Sequence, residues 1–204
     1  MVRKLSPQRR ASLLSSALKL FVTQGVMNTS TAEIAKEAGT AAGTLFLYFP
    51  TKQDLLDQLV LKIGKEQSDQ INQLLQPSFS ARETFFTIWH GTVTWFLENM
   101  DAYLYLQQVR DTGMISEAAV QESSQFFSYY YAAIQKGLAE GSLKTYPIGL
   151  IGDFLYQDIV AVMNHIRRQP QASEREATIR QGFEIFWDGI KSALNAGPDS
   201  ENKT

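Results

Sequence analysis

Apolar residues recur at every third or fourth position along most of this 204-residue chain, which is the spacing that lines one face of an α-helix. The segments with this spacing begin near capping residues and end near glycine or proline, and none shows the strict alternation of a half-buried strand. We therefore predict an all-α protein of about nine helices. The predicted helices cover approximately residues 6–25, 30–39, 41–49, 51–75, 80–99, 102–111, 116–140, 147–168 and 174–194.

The helical pattern stops and restarts within a short distance between Ser30 and Pro50. Ser30 and Glu33 have the spacing of a capping box, which predicts the start of a helix, and Gly39 is a residue that readily ends one. A second short helix fits before Pro50. Two short helices joined by about four residues beginning with glycine form a helix-turn-helix, in which the second helix enters the major groove of DNA.

The charge of the chain is distributed unevenly, although its formal net charge is only -2. Residues 1–52 contain seven basic and two acidic side chains, a net charge of +5, whereas residues 53–204 carry a net charge of -7. A basic amino-terminal quarter on an acidic remainder indicates that the first part binds a polyanion. The alternative interpretation is an ordinary solvated surface.

Residues 17–56, ALKLFVTQGVMNTSTAEIAKEAGTAAGTLFLYFPTKQDLL, resemble the TetR family of bacterial one-component transcriptional regulators. The resemblance rests on the glycine end of the first helix, the support segment TAEIAKEAG and the recognition segment GTLFLYFPTKQDLL. It implies a three-helix DNA-binding domain over residues 1–52 and a helical effector-binding and dimerisation domain over residues 53–195. Residues 196–204 have the composition of a disordered tail.

The resemblance also supplies candidates for contacts with the DNA backbone. Hydroxyl, phenol and ammonium groups suit phosphate oxygens, and the phosphate candidates are Ser30, Thr31, Thr44, Tyr48 and Lys52. For Ser30, a plain helix cap is an equally good interpretation. We expect Phe46 and Phe49 to lie in the core rather than on the DNA.

The predicted recognition helix has few side chains that could read bases through hydrogen bonds. The segment TAAGTLFLY contains no Arg, Asn or Gln, so it cannot form the bidentate hydrogen bonds that are typical of base readout. We expect base contacts mostly through thymine methyl groups, from Thr40, Ala41, Ala42 and Thr44. Gly43 and Leu47 complete the set of DNA-contact candidates, and Arg3 and Lys4 are candidates for an adjacent minor groove.

Aromatic side chains are concentrated in the acidic remainder of the chain, for which the resemblance implies effector binding. Most of them belong to an ordinary core, because aromatic residues at helical spacing usually pack there. The segment FFSYYY, residues 126–131, nevertheless covers more than one helix face and carries three phenol hydroxyls. We predict a cavity for an apolar or aromatic small molecule, lined by Trp89, Phe96, Phe127, Tyr130, Tyr131 and Tyr156.

The last two long helices resemble the pair that forms a dimer interface in this family. Small residues that would allow close approach are Gly149, Gly152, Ala161, Gly182 and Gly189, and apolar area is supplied by Leu150, Phe154, Phe183, Phe186 and Ile190. The alternative is that both helices only complete the core of one chain. Together with the DNA-binding segment, the resemblance implies a homodimeric repressor that an apolar or aromatic effector releases from a palindromic double-stranded DNA operator.

Two other classes of function stay open at this point: a helical adaptor that binds protein, and a small enzyme. An enzyme lacks support because the chain has no cysteine, no GxGxxG or P-loop motif, and two histidines, His90 and His165, without metal-ligand spacing. We therefore expect no catalytic residue, no metal and no cofactor. Because no apolar run reaches about 18 residues, we expect no membrane span and a soluble cytoplasmic protein.

Overall fold

A computed structural model describes residues 5–110, 112–169 and 172–193. These residues form ten α-helices and a 3-10 turn at Ala172–Glu174, and the β structure among them is an isolated bridge between Leu143 and Lys191. The all-α prediction is confirmed. The helices are α1 Pro7–Gln24, α2 Thr31–Glu37, α3 Ala42–Tyr48, α4 Lys52–Leu74, α5 Ala81–Glu98, α6 Met100–Val109, α7 Glu117–Gln125, α8 Ser128–Ala139, α9 Ile148–Arg168 and α10 Arg175–Ile190.

One predicted helix is two helices in the structure. The pattern over residues 116–140 predicted a single helix, but α7 ends before Phe126 and α8 begins after Phe127. Phe127 has φ -100° and ψ 29°, which departs from helical values. Aromatic residues continue through the break, so the hydrophobic spacing alone did not show it. The predicted tail at 196–204, and the minor-groove candidates Arg3 and Lys4, lie outside the described residues.

The chain forms two compact units. Unit 1 comprises the described residues up to Glu66 together with Glu98–Phe126, and unit 2 comprises Gln67–Leu97 together with the described residues from Phe127 onward. Helix α4 therefore contributes to both units. The domain division that the sequence predicted after residue 52 stays a prediction.

The core of unit 1 is built by α1, α2, α3, the first part of α4, and α6. Its fully buried side chains include Leu13, Phe21, Ile34, Leu45, Phe49 and Tyr103. The Tyr105 hydroxyl of α6 donates a hydrogen bond to the Leu56 carbonyl at 3.0 Å, and its ring stacks on Phe21 with centroids 5.8 Å apart. The Gln108 side chain accepts from the Val26 N–H at 3.1 Å and donates to the Phe21 carbonyl at 3.0 Å. Helix α6 thus fixes the end of α1 and the turn that follows it.

Unit 2 has an aromatic core between α5 and α10. Trp89 of α5 is fully buried, stacks on Phe186 with centroids 5.9 Å apart, and donates its indole N–H to the Ile179 carbonyl at 2.9 Å. Helix α10 comes close to α9 at Gly182, where an added Cβ would lie 2.3 Å from Val162 Cγ2 and 2.9 Å from Trp89 Cζ2. Packing within one chain therefore requires a glycine at this position.

Candidate DNA-binding surface

Helix α2 starts with a complete capping box. The Ser30 hydroxyl oxygen accepts a hydrogen bond from the Glu33 N–H at 3.2 Å, and Glu33 Oε2 accepts from the Ser30 N–H at 2.8 Å and from its hydroxyl at 2.7 Å. The hydrogen bonds that the Ser30 hydroxyl and the Ser30 N–H donate to Glu33 Oε2 stabilise the ionised carboxylate, so they lower the pKa of Glu33 below its ordinary value. The capping role of Ser30 is confirmed, and its phosphate contact stays a prediction.

The turn between α2 and α3 depends on Gly39. Its φ of +66° is a left-handed conformation that glycine adopts without strain and other residues rarely adopt. The Thr40 N–H then donates to the Ala35 carbonyl at 2.8 Å, and α3 begins directly after Ala41. The short connection sets α3 against α2 in the arrangement of a helix-turn-helix.

The inner face of α3 is formed by Leu45, with Phe49 just beyond the end of the helix. Both side chains are fully buried, as is Ile34 of α2, so the expected core position of Phe49 is confirmed. Phe46 was also expected in the core, but it is 45% exposed, and that expectation is wrong. Because Leu45 and Phe49 are four residues apart and occupy the inner face, Phe46 is rotated away from Leu45 by about 100°.

The remaining DNA-contact candidates are all accessible to some degree. Exposed positions are Ser30, Ala41, Ala42, Gly43 and Leu47, and half-buried positions are Thr31, Thr40, Thr44, Tyr48 and Lys52. Leu47 is 63% exposed. The fold therefore gathers these residues on α3 and at the starts of α2 and α4, where a duplex could reach them.

Two of the half-buried candidates are held by hydrogen bonds inside unit 1. The Tyr48 hydroxyl oxygen accepts a hydrogen bond from the Ser6 N–H at 2.9 Å, and Lys52 Nζ donates to the Val26 carbonyl at 2.6 Å. A phenol still has its own proton to donate, and an ammonium has two further N–H groups. Both groups are thus fixed in position and keep donors that suit phosphate oxygens.

The basic side chains around the helix-turn-helix differ in their surroundings. Lys19 forms an ion pair with Glu37 at 2.6 Å, and Arg10 hydrogen-bonds to the Gln58 side chain. Arg9 of α1 and Lys36 of α2 are exposed. The positive charge of this segment is therefore partly engaged in structure and partly presented to solvent.

The six effector candidates lie in unit 2 and differ in burial. Trp89 and Phe96 are buried, Phe127, Tyr130 and Tyr156 are half-buried, and Tyr131 is exposed. Tyr130 meets Phe85 edge-on with ring centroids 6.1 Å apart and Tyr131 at 5.7 Å. The Trp89 indole N–H is already satisfied within the core. The effector-binding role of these residues stays a prediction.

Gln67 is a buried polar residue outside the candidates that the sequence pattern predicted. It lies on α4, is 6% exposed, and its side-chain nitrogen has no hydrogen-bond partner among the described residues. A signal for it exists in the sequence. Gln67 is four positions after Ile63 and four before Ile71, so it interrupts an apolar stripe on one helix face.

The histidines and acidic residues do not form a metal site in the described part of the chain. No group of three or more His, Asp or Glu side chains there could hold an ion. His90 Nε2 lies 3.0 Å from Glu176 Oε2, a contact that lowers the pKa of Glu176, and His165 is exposed. Among the described residues, no helix combines the length and apolarity needed to cross a membrane.

The helix-turn-helix region matches a model of a known family. Residues 13–59 match the model described as bacterial regulatory proteins, tetR family. This range contains most of α1, all of α2 and α3, and the first turns of α4. The match therefore covers the segment whose geometry is described above.

Similarity to individual proteins extends over more of the chain. The uncharacterized HTH-type transcriptional regulator YhgD of Bacillus subtilis (strain 168) is 26% identical over 146 residues, which are 69% of this chain and 74% of that protein. The HTH-type transcriptional repressor KstR2 of Rhodococcus jostii (strain RHA1) is 23% identical over 196 residues, 92% of this chain and 93% of KstR2.

A solved structure has the same fold. The crystal structure of a tetR family transcription regulator from Shewanella sp. PV-4 matches with a TM-score of 0.84 and 29% identity, covering 90% of this chain and 98% of that one. The relatives and this structure carry the names of transcriptional regulators. The prediction of a regulator rather than an enzyme is confirmed by them.

Proposed function

This chain belongs to the TetR family of bacterial regulatory proteins and is a DNA-binding transcriptional regulator, and from that premise we propose that it is a homodimeric repressor released from a palindromic operator by an apolar or aromatic small molecule. The observation that carries the proposal is the outward face of α3, which is exposed at Phe46 and Leu47 while Leu45 on its inner face is fully buried. KstR2, which is similar over 92% of this chain, is named a repressor.

Exposed apolar side chains on α9 and α10 support a dimer. Phe154 of α9 is 57% exposed and Ile185 of α10 is 73% exposed, and Leu150 is exposed as well. Of the small residues that the sequence assigned to this interface, Gly149, Ala161 and Gly189 are exposed. Large apolar side chains exposed on two packed helices are typical of a protein interface, and a second copy presents the same surface in a two-fold arrangement.

Several residues that the sequence assigned to this interface lie in the core of unit 2. Phe183, Phe186 and Ile190 are buried within one chain. Gly182 packs against Val162 and Trp89, and an added Cβ at Gly152 would lie 3.2 Å from the Tyr130 hydroxyl. The assignments of Phe183, Phe186 and Ile190 were wrong because both sides of α10 carry apolar residues, and spacing alone does not show which side faces inward.

We expect the purified full-length protein to select a palindromic duplex from a random DNA library. One short recognition helix reads few base pairs, so specificity needs two copies on half-sites about one helical turn apart, roughly 34 to 36 Å. Sequencing the bound fragments reports the half-sites and their spacing. Selection of one half-site without symmetry would contradict the dimer, and no enrichment at all would contradict the proposed function.

The repressor role has its own readout. Transcription in vitro from a promoter that contains the selected operator should fall as the protein is added. A promoter with the same composition but a scrambled operator is the matched control, and it should be unaffected. A rise in transcription would contradict the repressor role and show that the protein is an activator.

A buried polar group in unit 2 supports the effector part of the proposal. A buried amide donor without an acceptor costs about 1 to 3 kcal/mol, and the Gln67 side-chain nitrogen is such a donor. A bound molecule that places an acceptor oxygen at this nitrogen removes the cost. We therefore propose an effector with an apolar body and an acceptor group, such as a carboxylic acid or an ester.

Gln67→Met should weaken the effector response and leave operator affinity without effector nearly unchanged. Methionine keeps the length of the side chain and removes the unpaired donor, so the fold should be as stable as the parent or about 1 kcal/mol more stable. The probes are medium-chain and aromatic carboxylic acids, and an effective one should lower the operator affinity of the parent about 5- to 150-fold. Fluorescence anisotropy of a labelled operator measures both affinities.

The matched control for this test is Gln70→Met, an exposed position on the same helix. It should respond to the acids as the parent does. Equal responses of the parent and Gln67→Met would remove Gln67 from the effector site. If none of the acids weakened operator binding by the parent, the proposed effector class would be wrong.

A further inference from the structure

The exposed residues on the outward face of α3 have no polar side chains. From Ala41 to Tyr48, the exposed residues are Ala41, Ala42, Gly43, Phe46 and Leu47, and none of them has a side-chain nitrogen or oxygen. The two polar residues of this segment, Thr44 and Tyr48, are half-buried. The Tyr48 hydroxyl is already engaged with the Ser6 N–H.

Gly43 leaves bare backbone on the same face. An added Cβ at Gly43 would meet no other atom within 4 Å, so packing inside the protein does not require a glycine there. Glycine destabilises a helix relative to alanine, and its use without a packing reason is typical of close approach by a ligand. The first turn of α3 can therefore come close to a partner.

The chemistry of the major groove limits what such a face can read. Hydrogen-bond donors and acceptors identify most base edges, whereas the C5-methyl group of thymine is the apolar feature of the groove. Apolar side chains gain affinity by contact with this methyl group and gain none from unpaired polar edges. The positive charge of residues 1–52 favours DNA over a protein as the partner of this face.

We propose that α3 reads its operator through the 5-methyl groups of pyrimidines, with Phe46 and Leu47 as the specificity-determining residues. This inference rests on DNA binding by the helix-turn-helix and adds which chemical group of the DNA is read. Phe46 was expected in the core but is exposed, as is Leu47. Helix α3 therefore offers two large apolar side chains for contact with DNA. Each half-site should then carry thymine at the positions that these residues reach.

Replacement of single thymines by uracil in the selected operator tests the proposal. Uracil keeps every hydrogen-bonding group of thymine and lacks only the methyl group. Burial of one such group raises affinity about fourfold, so the full-length protein should bind each operator with a contacted thymine replaced about fourfold more weakly. Affinity for a random duplex should not change when its thymines are replaced.

Alanine variants test whether Phe46 and Leu47 are the residues that contact the thymine methyl groups. Phe46→Ala and Leu47→Ala should bind the thymine operator more weakly than the parent, and each should lose the uracil penalty at the position that it contacts. Val120→Ala is the matched control, because Val120 is an exposed apolar residue of unit 1 on α7, away from α3 in sequence. It should keep the full uracil penalty.

The outcomes separate this inference from the proposed function. Equal affinity of the parent for thymine and uracil operators overturns methyl readout and leaves DNA binding intact. A uracil penalty that persists in both alanine variants overturns the roles of Phe46 and Leu47. Failure of the protein to enrich any duplex overturns the proposed function, and methyl readout with it.

Discussion

The combined change Phe154→Asp and Ile185→Asp should convert the protein from a dimer to a monomer and lower its operator affinity about a hundredfold or more. Both side chains are exposed in the single chain, so aspartate at these positions is solvated in the monomer. In a two-fold interface the same carboxylates would be buried without partners, which is strongly unfavourable. Loss of the second recognition helix removes the gain of about 10²- to 10⁴-fold that two linked binding modules provide.

Light scattering at micromolar concentration tests this prediction directly. The parent should have twice the single-chain mass of 22.9 kDa, and the variant should have the single-chain mass. Val120→Asp is the control, because it places the same charge at another exposed apolar position, outside α9 and α10, and should remain a dimer. A parent that stays at the mass of one chain with and without DNA would rule out the dimer.

The helix-turn-helix could be predicted from the sequence because its determinants are local. Ser30 and Glu33 are three residues apart and cap one helix, and Gly39 supplies the left-handed turn that ends it. Leu45 and Phe49, four residues apart, form the inner face of the next segment. Each of these features needs only neighbours within one or two turns, so spacing and residue type are sufficient.

Errors arose where two apolar faces compete for the core. Phe46 and Leu47 are as apolar as Leu45, and the packing of α3 against α2 decides which of them is buried. The same ambiguity placed Phe183 and Phe186 in a dimer interface, although they are buried within unit 2. Helical periodicity identifies apolar stripes, but the partner that covers each stripe is a matter of long-range contact.

Long-range hydrogen bonds were also invisible to the sequence. Gln108 bonds to the Phe21 carbonyl across 87 positions, and Tyr105 bonds to the Leu56 carbonyl across 49 positions. These contacts join α6 to the segment that carries the recognition helix. No local pattern marks Gln108 as the residue that meets the end of α1, because only the fold brings it there.

Gly182→Ala should destabilise unit 2, even though alanine favours a helix more than glycine does. The new Cβ would lie 2.3 Å from Val162 Cγ2 and 2.9 Å from Trp89 Cζ2. Neither neighbour yields easily, because valine in a helix has one preferred rotamer and the Trp89 indole is hydrogen-bonded to the Ile179 carbonyl. Overpacking of this kind costs about 1 to 3 kcal/mol, against about 1 kcal/mol recovered from helix propensity.

Thermal unfolding followed by circular dichroism should show the Gly182→Ala midpoint several degrees below the parent, at about 2 to 4 °C for each kcal/mol lost. Gly43→Ala of α3 is the control, since an added Cβ there meets no other side chain within 4 Å and the position lies outside α9 and α10, and without DNA it should be at least as stable as the parent. Gly182→Ala should also remain a dimer, because the clash lies inside one chain. If Gly182→Ala melted with the parent but had the mass of a single chain, the glycine would belong to the interface between copies, and its assignment to the core of unit 2 would be wrong.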